Sequence, residues 1–157
     1  MENLCDIIYE GNLERAKELI NLGYDINGKY GEMKFYPIYS AMNSIDPVVA
    51  LKFVIDNGAD VNIEYGLPLS IAFDSLIDGM TQNNRTEPFE EDIEMIKILI
   101  KKGANLTIKD KNGLTPFSTI FNYSVSEKRF YELRDIFVKI IPDFDKYLQW
   151  DSQKRFH

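Results

Sequence analysis

Histidine and cysteine are nearly missing from this chain of 157 residues, which holds one of each: Cys5, and His157 at the last position. A single cysteine excludes an intrachain disulfide and fits a reducing compartment. With so few nucleophiles and bases, a Cys–His or Ser–His catalytic system has little to draw on. The sequence also contains no Gly-x-Ser-x-Gly elbow, no phosphate-binding loop and no Cys-x-x-Cys metal spacing. No enzyme, cofactor or metal is therefore expected. No apolar run approaches the roughly 18 residues of a membrane span, and the opening "MENLCDIIYEGN" lacks the basic start of a signal peptide. A cytoplasmic protein without membrane contact is the expectation.

Positive charge is in deficit as well. The net charge is −7, and residues 1–78 carry 13 acids against 5 bases, while residues 79–157 are close to balance. Phosphate backbones would repel such a chain, so nucleic acid is not an expected partner. A basic protein is, because opposite charge steers encounter. The 45% hydrophobic content beside 27% charged residues indicates a folded domain with a real core rather than a disordered segment.

What the chain does have is internal repetition. "NLGYDIN" (21–27), "DNGADVN" (56–62) and "KKGANLT" (101–107) each follow an apolar-periodic stretch. Gly23, Gly58 and Gly103 can each take the left-handed conformation that closes a helix. A second series lies between them: "YPIYSA" (36–41), "LPLSIA" (67–72) and "TPFSTI" (115–120). There a proline opens a helix at its first turn, where a missing N–H costs nothing. Leu4, Ile7 and Ile8, then Leu13, Ala16, Leu19 and Ile20, follow helical spacing and should face inward. Cys5 falls at the expected edge of the first of these helices.

Taken together, these segments resemble the ankyrin repeat, a unit of about 33 residues with a turn and two helices. "GADVN" matches the end of that pattern and "DKNGLTPF" its turn and helix start. The resemblance covers about residues 3–141. It implies an all-α ankyrin-repeat solenoid of about four helix-turn-helix units with short hairpin fingers, forming a single domain. The units would run over 3–27 (an N-terminal cap), 28–62, 63–107 and 108–141, with 142–157 as a C-terminal helical cap. The second unit's helices are expected near 38–42 and 47–56, and residues 110–113 should make a tight finger turn. Stacking is required because a lone helix pair cannot cover its apolar face.

Departures from the pattern carry their own expectations. Tyr39, Ser70 and Ser118 stand where the family has histidine, so the stack should be less regular. The third unit is degenerate, with some 14 extra residues at about 78–91, and the polar "GMTQNNRT" (79–86) reads as loop. The carboxylates of "EPFEEDIEM" (87–95) could serve acid–base chemistry, but Glu90, Glu91 and Asp92 precede a periodic helix, where the helix dipole favours negative charge.

By the resemblance, partner contacts fall on the fingers and the inner-helix edges. The residues so placed are Tyr30, Glu32, Lys34 and Phe35 on the first finger, and Asn43 and Ser44 on its inner helix. Glu64, Tyr65 and Asp74 follow in the next repeat, then Lys109, Lys111, Asn122 and Tyr123 in the last. Tyrosine and phenylalanine are good anchors there, since they bury large area with few rotatable bonds. The implied function is a monomeric protein-binding module, acting as an inhibitor or immunity-type protein; an adaptor or host-directed effector is the alternative, and a carboxylate-dependent enzyme a remote one.

Overall fold

Four helices begin on a short polar side chain that accepts a hydrogen bond from the backbone N–H three residues ahead: Asn3, Asn12, Asp46 and Ser126. Each satisfies one of the free donors of a helix start. In the computed structural model, which describes residues 2–147, these caps open α1 (Leu4–Tyr9), α2 (Leu13–Asn21), α4 (Pro47–Asp56) and α8 (Glu127–Phe137). The others are α3 (Pro37–Met42), α5 (Ile63–Gln82), α6 (Glu90–Lys101) and α7 (Ser118–Tyr123), and residues 144–147 are helical as well. Pro37 and Pro47 stand in the first turns of α3 and α4 as expected. Near Pro116 the chain first makes a turn, and α7 begins two residues later. The described residues are all-helical, apart from one isolated antiparallel bridge between Tyr30 and Phe35.

The same helix ending recurs three times. Gly23, Gly58 and Gly103 have φ of 103°, 96° and 98°. After each, an amide reaches back to a carbonyl five residues earlier: Tyr24 to Leu19, Ala59 to Val54 and Ala104 to Leu99, at 3.1, 2.9 and 2.9 Å. This is the Schellman closure. Immediately beyond, the Asp25, Asp60 and Asn105 side chains accept from the amides of Asn27, Asn62 and Thr107. Local sequence alone dictates these turns, because Asx side chains bond their own backbone two residues on.

The chain divides into two compact units, Met1–Ile63 and Glu64–His157. In the first, α1 packs on α2 and α3, and α3 on α4. Leu4, Ile8, Ala16, Ala41, Leu51 and Val54 are fully buried there. Asn27 braces this unit, donating to the Gly58 carbonyl at 3.1 Å and accepting from the Asp60 amide at 2.8 Å. Cys5 is not at an edge. It is 3% exposed, and its thiol donates to the Phe35 carbonyl at 3.2 Å.

The second unit is built on phenylalanine. Phe73 meets Phe117 and Phe137 at ring separations of 5.5 and 5.3 Å, and Phe144, just past Pro142, lies 5.7 Å from both Phe117 and Phe137. All four are buried. Near its start α5 is kinked at Glu64, Tyr65 and Gly66, three successive residues in the left-handed region, and the regular helix follows them. Two of them carry Cβ atoms, at a strain of about 1 kcal/mol or more each.

The loop expected at 79–86 is in part helix. α5 runs on to Gln82, and Met80 is 1% exposed. Thr81 and Gln82 tie themselves to the preceding turn through Ile77 and Asp78. Asn84, at φ 50°, then closes the helix, with the Arg85 amide on the Met80 carbonyl at 2.9 Å. One buried methionine outweighs a polar local composition. The remaining loop, 83–89, places the Arg85 guanidinium 4.1 Å from the centre of the Phe89 ring.

Candidate functional site: an acidic cleft beside the first finger

Residues 30–35 form a miniature hairpin. The Tyr30 and Phe35 amides and carbonyls exchange bonds of 2.9 and 3.1 Å, and Gly31 and Lys34 take positive φ so that the chain can reverse. Glu32 and Met33 occupy the tip, and Met33 is 73% exposed. Below the tip opens a cleft of about 830 Å³, walled by Glu2 and Asn3 ahead of α1, by Cys5 and Asp6 in its first turn, by Tyr24 and Lys29, and by the finger residues Tyr30, Gly31, Glu32, Met33 and Phe35.

Aromatic rings set its walls. Tyr24 and Tyr30 lie nearly parallel, 15° apart with centres 6.0 Å distant, and Phe35 stacks on Tyr39 at 5.4 Å. The Tyr30 hydroxyl donates to the Asp25 carbonyl at 2.8 Å. Burial, and then the Asp25 charge, push its pKa above the usual tyrosine value, so the ring stays neutral. Burial likewise pushes the Cys5 thiol up, and a protonated thiol is a poor nucleophile. Three carboxylates face one ammonium. Glu2 is held by Arg15 at 2.6 Å, and Asp6 accepts from the Asn3 amide at 2.7 Å. The Lys29 amine sits over the Tyr36 ring at 5.3 Å. Asp6 and Glu32 have no cationic partner among the described residues. The cleft can bind, through neutral rings and carboxylates.

The other expected contact residues divide sharply. Asn43 is exposed and its amide bonds the Tyr39 carbonyl. Ser44 is 8% exposed, and its hydroxyl is buried without a hydrogen-bond partner. The turn after α3 folds this side chain inward, away from the surface where a contact was expected. In the second unit Glu64 and Tyr65 are exposed, as are Lys109, Lys111 and Asn122. Asp74 and Tyr123 are spent on each other through a 2.5 Å bond from the phenol to the carboxylate. That bond, with some burial, pushes the Tyr123 pKa up to about 12. A second cleft, about 530 Å³, is lined by Leu106, Thr107, Lys109, Thr115, Phe117, Lys146 and Tyr147, and so is basic.

Glu2, Asn3, Asp6, Tyr24 and Met33 were not anticipated as site residues. Only the four-residue spacing of Glu2 and Asp6 across the start of a helix hinted at a shared acidic face. The acidic run 90–92 fills the first turn of α6, the structural role open to it from the sequence. Among the described residues no group of three His, Cys, Asp or Glu side chains could hold a metal, and no helix is long and apolar enough to cross a membrane. His157 lies outside the described residues. No family model matches the chain, and no curated protein matches it.

Proposed function

We propose that the chain is a non-catalytic ankyrin-repeat protein that binds a basic protein partner through its first finger and the cleft beneath it. The repeat reading is supported by the thrice-used Gly closure with its Asx turn, and by Pro37 leading α3 between the first two copies. One observation carries the binding reading: an exposed hairpin tip stands beside an open, aromatic-walled cleft with two carboxylates that have no cationic partner among the described residues. Large clefts with a few convergent polar groups are where proteins receive ligands. By occupying its partner's surface the chain would act as an inhibitor or immunity-type protein does. The lysine-lined cleft of the second unit favours an adaptor with a further, acidic partner as the second reading.

The test is affinity purification of the tagged protein from its own cells, with and without Tyr30→Ala and Phe35→Ala. A basic protein in near one-to-one ratio, lost with the finger variants, is the expected result. Capture unaffected by them would refute this face as the contact.

A further inference from the structure

We propose that the cleft beneath the first finger receives an arginine side chain, with the short stretch of chain around it, from the partner. This rests on the partner-binding reading above and specifies what that site recognises. Charge comes first. Of the cleft's three carboxylates, Glu2 is already paired with Arg15, while Asp6 and Glu32 have no cationic partner among the described residues. The cleft's own lysine is drawn aside over Tyr36.

Shape and surface select among cations. A volume of about 830 Å³ is too large for one side chain and fits a side chain with its flanking backbone. The half-buried Tyr24 and Tyr30 present near-parallel rings. A guanidinium is planar, weakly hydrated and able to stack on such faces while its forked N–H groups reach carboxylates. An ammonium is a compact, strongly hydrated charge that gains less from leaving water. The Cys5 thiol, being protonated, adds no competing anion. The basic cleft of the second unit, lined by Lys109 and Lys146, is a built-in control with the opposite charge.

The experiment is a titration of the ¹⁵N-labelled full chain, followed by amide chemical shifts. The probes are the end-capped peptide Gly-Gly-Arg-Gly-Gly and its lysine and citrulline counterparts. The arginine peptide should give saturable shifts at Asp6, Tyr24, Gly31 and Glu32. The lysine peptide should bind about threefold or more weakly, and citrulline, the same shape without charge, should not bind. Asp6→Asn and Glu32→Gln, both at exposed positions, should each weaken binding by about two- to fivefold, with an unchanged spectrum away from the cleft showing that each variant is folded. Equal binding of citrulline and arginine, no response to either variant, or shifts at Lys109 and Lys146 instead would each overturn the proposal. A captured protein whose binding survives both substitutions would overturn it too, while leaving the partner-binding reading intact. Arginine-selective binding with no protein captured would uphold the cleft and end that reading.

Discussion

Asp92 is the group whose replacement should most visibly reshape the stability of the protein with pH. It sits in the first turn of α6, is 9% exposed, and its Oδ2 lies 3.3 Å from where a side chain on Gly79 would begin. Burial, and secondarily the neighbouring Glu91 charge, raise its pKa to about 6. An unfolded aspartate titrates near 3.9. The folded state therefore keeps a proton that the unfolded chain gives up between about pH 4 and 6. Stability from this group is fully present below about pH 4 and is lost as the pH rises through 6. A pKa raised this far corresponds to at most about 3 kcal/mol, and partial solvent screening reduces this to about 1–2 kcal/mol. Asp92→Asn removes the titration while keeping the shape. At pH 7 the variant should be more stable by about 1–2 kcal/mol, raising Tm by about 2–8 °C. At pH 4 the two proteins should agree within about 0.5 kcal/mol. Urea unfolding at several values from pH 4 to 7 measures the difference directly. If the variant were instead less stable at pH 7, the α6 dipole would be holding Asp92 as an anion, and burial would not be the dominant effect.

Three further outcomes are expected. Gly66→Ala should cost about 2–4 kcal/mol, since φ is +80° and a Cβ would stand 2.6 Å from Ile108 Cγ2. Gly23→Ala meets no atom within 4 Å and should cost only about 1 kcal/mol; equal losses in chemical denaturation would contradict the packing account. Ser44→Ala should be neutral or stabilising by up to about 1 kcal/mol, because the hydroxyl it removes is buried without a partner, and a clear drop in Tm would reveal an unrecognised bond. Asp74→Asn should return the Tyr123 pKa from about 12 toward 10, as followed by phenolate absorbance. The wild-type bond stabilises the fold below about pH 10, and that contribution is lost as the pH rises toward 12.

The features legible in the sequence were those made by neighbours along the chain. A glycine after an apolar-periodic stretch closes a helix because only a residue without Cβ takes positive φ freely, and Gly23, Gly58 and Gly103 all do so. The Asp110 turn was equally local. Its carboxylate accepts from the Asn112 and Leu114 amides at 2.8 and 3.0 Å, with Gly113 at φ 77°. Charge was legible too, because the acidic character of the first half needs only counting.

Tertiary structure decided what depended on residues far apart in the chain. Gly79 to Gln82 looked like loop by composition, yet packing of Met80 continues the helix through them. Ser44 looked like an edge residue, and a single turn folded it inward. Asp74 and Tyr123, 49 positions apart, were each read as free for a partner, but each satisfies the other. The cleft itself joins Glu2 and Asp6 to a finger some 25 residues away. Local sequence sets φ, ψ and the caps, because those energies are spent within a few residues. Burial, cleft shape and the pairing of distant polar groups are properties of surfaces that exist only once helices have packed.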